Sequence, residues 1–341
     1  MIKPLNSIRF FFIFFIFLFH CRFLPINYFD HAGSAGVTFF FVISGFILSY
    51  NYKNLVLSNN FSKTSFMIKR FIRIYPIHFL VLLIYLILLF SSDASVGQYF
   101  GLKWALKLVL NIFLLQSYIP IETVFFSFTG MWFLSTLIFS YFIFNYLVIL
   151  IDKYRLKSSI FLLGIPVLMF LLPERFSINI FYTNPIIRAF DFFAGMLCYE
   201  IYIAIQNKDF STVTATLLEI FCVALWMISY NVTLHINLVP YQYSVLFWVP
   251  SICLIIMTLS KGLISKILSW NWLVKLGNLS FGFFVFHPTI IHFFDYIWKT
   301  ENLWIKMVVI AIMSLICSYI SLRYFEKPIK KLFTTYTSRV H

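Results

Sequence analysis

The chain has 341 residues, of which 61% are hydrophobic and only 11% are charged. A soluble domain of this composition would expose large apolar patches, so the sequence excludes a water-soluble enzyme and predicts an integral membrane protein. The net charge of +14 does not indicate a nucleic-acid partner, because the basic residues lie in loops between apolar runs, where membrane topology explains them.

Apolar runs of about 20 residues are typical of membrane-spanning helices, and candidates of this kind follow one another along the whole chain. We predict an all-α, polytopic helical bundle that forms a single membrane-embedded domain over residues 1–341. The candidate spans are 8–24, 35–52, 74–91, 104–119, 131–151, 158–172, 184–205, 212–230, 242–260, 278–298 and 303–322.

The run 104–119 is the weakest of these candidates. It is short, and Lys103 and Lys107 stand four residues apart, which is typical of an interfacial or re-entrant helix. Without it the chain has ten crossings, and both basic termini lie on the cytoplasmic side. In this orientation 19 of the 26 Lys and Arg residues are on the inner side, and a long outer segment runs from 92 to 130.

The first span, "IRFFFIFFIFLFHCRF", contains two ionisable residues, Arg9 and His20. Their separation of eleven residues is within about 20° of whole helical turns, so both lie on one face, about 16 Å apart, and are expected to line one cavity. An ionisable residue inside a span indicates a functional site, and His is suited to move a proton near neutral pH. In the alternative interpretation, Arg9 snorkels to lipid phosphates and His20 serves packing alone.

The second and third spans add two further motifs. In "GSAGVTFFFVISGFILSY", Ser44 and Gly45 are among the small residues that permit close approach of helices or of a ligand, and packing is the favoured interpretation. In "KRFIRIYPIHF", Arg70 and Arg73 share one helical face, and two guanidiniums together can grip a phosphate. Positive-inside topology is the alternative explanation for them. Pro76 is expected to break or bend this helix.

The later spans contain isolated polar residues. Arg188 and Asp191, at i and i+3, are expected to neutralise each other at a membrane edge. His287, in "LSFGFFVFHPTII", is a second candidate for the polar cavity, with packing as an equal alternative. The five cysteines form no CxxC pair and no loop framework, so neither a disulfide scaffold nor a metal site is predicted.

Taken in order, these motifs resemble acyltransferase family 3, a family of bacterial integral-membrane acyltransferases. The matches are the Arg, ten residues, His arrangement at Arg9 and His20, then "GVTFFFVISGF", the "RxxRxxP" junction, "WFL" after Met131, "SFGFFVFHP" and "RYFEKPIKK". The chain departs from the family at Leu137, where some members carry an acidic residue, and at Thr38, where Asp is frequent. The extra periplasmic esterase-like domain of some members is expected to be absent.

The resemblance implies transfer of an acyl group, usually acetyl, from cytoplasmic acyl-CoA to a hydroxyl of a surface polysaccharide or lipid-linked glycan. Acetyl-CoA would be a donor substrate rather than a permanently bound cofactor, and the protein would lie in the bacterial inner membrane, in contact with lipid. His20 would be either the general base or the carrier of the acyl group. The resemblance implies these further roles: donor binding for Arg9, Arg70 and Arg73, acceptor contacts for Ser44, Trp132 and His287, and structural roles for Gly45, Pro76 and Glu326.

The main alternative is a non-catalytic transporter or flippase for a glycan or lipid. It would also need about ten helices, but its buried polar residues would be spread through several spans along a substrate path. In this sequence they are concentrated in the first three spans and at His287. The sequence therefore favours the acyltransferase.

Overall fold

The structure is a computed structural model, and it describes residues 2–24, 27–92, 101–119, 131–171, 178–236, 239 and 241–337. Every regular element in these ranges is helical, and they contain no β-strand. The α-helices, numbered in chain order, are α1 (Lys3–His20), α2 (Ala32–Leu57), α3 (Lys63–Ser92), α4 (Leu102–Ile112), α5 (Trp132–Tyr154), α6 (Gly164–Leu171), α7 (Pro185–Ile205), α8 (Thr212–His235), α9 (Trp248–Met257), α10 (Leu263–Leu268), α11 (Asn271–Ile297), α12 (Leu303–Ser321) and α13 (Lys327–Thr337).

Within the described ranges, seven helical stretches are long and apolar enough to cross a bilayer, and they contain α1, α2, α3, α5, α8, α11 and α12. Two shorter apolar stretches, Lys157–Leu171 and Val245–Met257, match two further predicted spans. Helix α7 matches the tenth: it has 21 residues, although it carries Arg188, Asp191 and Glu200. The predicted all-α polytopic bundle is confirmed.

Helix α4 corresponds to the run that we predict not to cross the membrane. Its 11 residues span about 17 Å, too little for a hydrocarbon core of about 30 Å. It is attached to α3, because the Nε2 of His78 hydrogen-bonds the carbonyl oxygen of Asn111 at 2.8 Å. Of the predicted outer segment 92–130, residues 93–100 and 120–130 lie outside the described residues.

Helix α2 is the central helix of the bundle, and 89% of the 18-residue segment taken as its membrane span is buried. It crosses α7 at two glycines whose backbones touch the opposite helix. A β-carbon on Gly45 would lie 2.0 Å from the carbonyl oxygen of Phe192, and one on Gly195 would lie 1.8 Å from that of Val42. Only residues without a side chain permit this contact, so Gly45 is part of a tight helix crossing.

Helix α1 runs alongside α11, and one asparagine fixes their register. The Nδ2 of Asn6 donates to the carbonyl oxygen of Val274 and to the Oδ1 of Asn278, each at 2.9 Å. Hydrogen bonds of this kind hold transmembrane helices together where no hydrophobic force acts between them. The later parts of both helices are thereby brought side by side.

Helix α3 passes through Pro76 without interruption, so of the two effects predicted for this residue, a break or a bend, the break does not occur. Proline leaves a carbonyl oxygen one turn earlier without its helical partner. In membrane proteins neighbouring groups can satisfy such a carbonyl, and the helix then continues. Helix α11 likewise continues through Pro288 without interruption.

The glycine crossing gives a test of the fold. Gly45→Ala should lower the free energy of unfolding by about 1–3 kcal/mol, the usual cost of overpacking, because the new methyl group meets backbone that cannot rotate away. Gly164→Ala is the matched control, since no atom lies within 4 Å of its added β-carbon. Thermal unfolding of the two variants in detergent would measure the difference, and equal melting temperatures would contradict the tight crossing.

Candidate active site

Helix α1 carries the two ionisable residues that the sequence analysis singled out. Both are half-buried, His20 is the last residue of the helix, and Arg9 lies eleven residues earlier on the same continuous helix. An unbroken helix keeps them about 16 Å apart along its axis. The two residues therefore mark two levels of the membrane rather than one compact cluster.

His20 is paired with His287 of α11. The Nδ1 of His20 lies 3.0 Å from the Nε2 of His287, and we call these two residues the histidine pair. His287 is completely buried, and its ring lies against the rings of Phe17, Phe283 and Phe284, with centroids 5.8–6.1 Å apart. The structure thus brings together two histidines that are 267 residues apart in the sequence.

The backbone fixes which nitrogen of each imidazole carries the hydrogen. The Nδ1 of His20 lies 3.0 Å from the carbonyl oxygen of Ile16, and the Nδ1 of His287 lies 3.0 Å from that of Phe283. A carbonyl oxygen can only accept, so both Nδ1 atoms are donors. With this tautomer, the single hydrogen on the Nδ1 of His20 is shared between the carbonyl oxygen of Ile16 and the Nε2 of neutral His287, and the lone pair of the His20 ring is on its Nε2.

Three arginines from two helices gather at the other level. Arg9, Arg70 and Arg73, which we call the arginine cluster, line two adjoining cavities together. The Nη2 of Arg70 donates to the hydroxyl of Tyr52 at 2.8 Å, and its guanidinium also lies over the rings of Tyr52 and Phe66. Its Nε is buried and has no hydrogen-bond partner among the described residues. The cluster is therefore held by its neighbours, and none of its arginines forms an ion pair among the described residues.

One of these two cavities, which we call the apolar cavity, extends from the arginine cluster toward the histidine pair. Apart from the arginines, its lining is mostly apolar. Its far end is formed by Ile16, Val37, Phe133 and Phe284. Such a cavity suits a long ligand with an anionic head and a thin, largely apolar arm.

His20 does not line this cavity. Arg9 and His20 lie on one continuous helix, as predicted, but they do not line one cavity together. Ile16, one helical turn before His20, and Phe284, three residues before His287, close the end. The histidine pair therefore lies about one turn beyond the cavity. The spacing in the sequence gave the correct helix face, but it could not show how bulky the intervening side chains are.

Arg188 and Asp191 form the expected ion pair, but not at a membrane edge. Both side chains are completely buried, and the Nη1 of Arg188 donates to Asp191 and, at 3.0 Å, to the hydroxyl of Thr38. Ser244 and Trp248 also donate to Asp191. A buried pair needs such additional hydrogen bonds to offset its desolvation, so this network is a structural centre between α2, α7 and α9.

Trp132 belongs to this network rather than to the cavity. It is buried, its ring centroid lies 5.9 Å from the guanidinium carbon of Arg188, and it packs against the ring of Tyr182 at 4.8 Å. The next residue, Phe133, lines the cavity in its place. The acceptor contact that the resemblance implies for Trp132 stays a prediction.

The remaining predicted residues lie near the arginine cluster. Ser44 lines the apolar cavity beside the arginines, and its hydroxyl donates to the carbonyl oxygen of Phe40 at 2.6 Å. Its contact with the acceptor stays a prediction. Glu326 ends the π-helical turn Leu322–Glu326 and accepts from the hydroxyl of Ser321 at 3.3 Å. Its carboxylate is close enough to Arg73 for an electrostatic interaction.

Six further polar residues, which were not predicted from the sequence, line the two cavities. They are Tyr141 and Ser280 in the apolar cavity and Asn6, Tyr50, Asn51 and Tyr52 in the other one. The spacing of seven residues between Ser280 and His287, two helical turns, could have indicated that they share a face. Asn6, Tyr52 and Tyr141 offered no comparable signal, since isolated polar residues near helix ends are common.

Comparison with known proteins gives one match. A family model with the description "Acyltransferase domain" matches residues 2–323, which include the histidine pair, the arginine cluster and both cavities. No curated protein and no solved structure matches the chain.

Proposed function

The chain belongs to this acyltransferase family, and we propose on that premise that it is an O-acyltransferase of the bacterial inner membrane. The donor is acyl-CoA, most simply acetyl-CoA, which enters from the cytoplasm. The acceptor is a hydroxyl group of a surface or exported polysaccharide, such as an O-antigen, or of a lipid-linked glycan. Both termini are cytoplasmic, because this orientation leaves 19 of the 26 basic residues on the inner side.

The proposal rests on the placement of the Nε2 of His20, which carries the lone pair when the Nδ1 carries the hydrogen. It belongs to an imidazole whose other nitrogen is held by Ile16 and His287. It also lies about one turn beyond a cavity whose opposite end has three arginines. A base or nucleophile at one end and an anion site at the other are what transfer from a phosphate-bearing thioester requires.

The arginine cluster supplies the donor site in this proposal. Coenzyme A carries several phosphates, and guanidinium groups bind phosphate through paired, charge-assisted hydrogen bonds. The unpartnered Nε of Arg70 is available for such a bond. The thin arm of the donor then extends along the apolar cavity toward Ile16 and Phe284, and the thioester reaches the level of the histidine pair after these two side chains move aside.

The transfer step uses the Nε2 of His20 in either of two routes. As a general base, it takes the proton of the acceptor hydroxyl while the oxygen attacks the thioester carbon; the carbon–sulfur bond breaks, and the thiolate leaves with that proton. As a nucleophile, it first takes the acyl group with loss of the thiolate; the acceptor hydroxyl then attacks the acyl-imidazole, the carbon–nitrogen bond breaks, and the hydroxyl proton passes through the released imidazole to the thiolate. In both routes His287 orients the imidazole.

The first test replaces His20. His20→Ala should abolish acylation of the surface polysaccharide, because the Nε2 of His20 is the base or the nucleophile in both routes. Mass spectrometry of the polysaccharide from wild-type, deletion and variant cells would measure the loss of one acetyl mass per repeat. His235→Ala is the control, since His235 is exposed at the end of α8.

A polysaccharide that stays unmodified in every strain, but falls in amount only in the deletion, would contradict the proposal. That result would favour the transporter, for which His20 has no catalytic role. Unchanged acylation in the His20→Ala strain would remove His20 from the mechanism.

The second test concerns the arginine cluster. Arg73→Lys keeps the positive charge but loses the planar fork, so the KM for acetyl-CoA should rise about tenfold, as expected for one lost hydrogen bond to a charged group. Arg155→Lys is the control, because Arg155 is exposed and lines neither cavity. Steady-state release of free thiol by membranes would measure both, and an unchanged KM would restrict Arg73 to a topological role.

A further inference from the structure

The hydroxyl group of one buried serine lines the apolar cavity. Ser280 is 1% exposed and lines the cavity, and its Oγ has no hydrogen-bond partner among the described residues. Serines in helices often bond the carbonyl oxygen four residues earlier, as Ser44 and Ser314 do here. A buried hydroxyl left unpaired costs free energy, so a ligand that pairs with it in the cavity gains affinity.

Ser280 lies between the two levels of the site. It precedes His287 by two helical turns, about 10 Å along α11 and within about 20° of the same face. It follows Asn278, which is bonded to Asn6 at the level just before Arg9. A ligand that extends from the arginine cluster to the histidine pair therefore passes Ser280.

The chemistry of the donor arm fits this position. Between its sulfur and its phosphates, the pantetheine arm has only two amides and one hydroxyl among apolar carbons. The amide farther from the sulfur is seven to eight bonds away, which is about 8–10 Å in an extended chain. This distance matches that from Ser280 to the histidine pair, whereas the nearer amide falls short of Ser280.

We propose that Ser280 is a donor-binding residue that hydrogen-bonds the outer amide of the pantetheine arm. The proposal rests on the proposed function, because it takes acyl-CoA as the donor. It assigns the polar contact inside an otherwise apolar passage, so that the hydroxyl sets how far the arm extends toward His20. Longer or shorter thiol arms would place their thioester out of register with the histidine pair.

The test is direct binding of two ligands to the full-length protein in nanodiscs, measured by calorimetry. Coenzyme A has the arm, and adenosine 3′,5′-bisphosphate has the phosphate-bearing head without it. Ser280→Ala should weaken coenzyme A binding about 2- to 10-fold, the usual effect of one neutral hydrogen bond, and leave the bisphosphate unchanged. Ser251→Ala is the matched control, because Ser251 is also buried and unpaired but lines neither cavity.

Each other outcome has a distinct meaning. Equal weakening of both ligands, or no weakening of coenzyme A, would overturn the role of Ser280. Wild-type protein that binds both ligands equally well would show that the arm adds nothing, which overturns this inference but leaves the arginine cluster as an anion site. Wild-type protein that binds neither ligand would overturn the proposed function and this inference with it.

A second variant keeps the inference testable if Ser280→Ala is poorly folded. In Ser280→Cys, modification of the new thiol by a small methanethiosulfonate reagent, followed on its own peptide by mass spectrometry, should be slowed by coenzyme A. The bisphosphate should not slow it, because it does not extend past Ser280. Equal protection by both ligands, or by neither, would contradict the inference.

Discussion

The contact between the imidazoles of His20 and His287 is the interaction on which the site depends. It exists because α1 and α11 run side by side in a register that Asn6 fixes by bonding Val274 and Asn278. Two backbone carbonyls assign the hydrogens, and the result is one imidazole with its lone pair on the Nε2. The second histidine is a positioning residue, since in this arrangement it only accepts from the first.

The polar groups around this pair differ between the two ends of the site. Three arginines lie at one end of the apolar cavity, and the histidine pair lies beyond the other end. The hydroxyl of Ser280, which has no partner among the described residues, lies between them. A transported sugar would need polar groups along its whole path, whereas a thioester on a thin arm needs them only at its head, at its amides and at the reacting carbon. The buried network around Arg188 and Asp191 has its own internal partners and stabilises the crossing of α2, α7 and α9.

Much of this could be predicted from the sequence, for definite physical reasons. Apolar runs give the helices, and the period of 3.6 residues places Arg9 and His20 on one face. The sequence could not show that Pro76 leaves α3 unbroken, that Ile16 separates His20 from the cavity, or that Trp132 packs on Arg188. Each of these depends on contacts between distant segments. Ser280 was overlooked because a small polar residue in a helix has no distinguishing pattern until its missing partner is visible.

The most direct test of this account is the rate of acetyl transfer in membrane vesicles that contain the acceptor, with His287 replaced in two ways. His287→Leu leaves the carbonyl oxygen of Ile16 as the acceptor for the Nδ1 hydrogen of His20 but removes the side chain that orients the ring. It should lower kcat about 10- to 100-fold, the range found for partners that orient metal-bound histidines, with little change in the KM for acetyl-CoA. His287→Gln keeps an oxygen that can accept that hydrogen and should restore part of the rate. A wild-type kcat in the Leu variant, or equal losses in both variants, would contradict the claim that His287 positions His20 for the reaction.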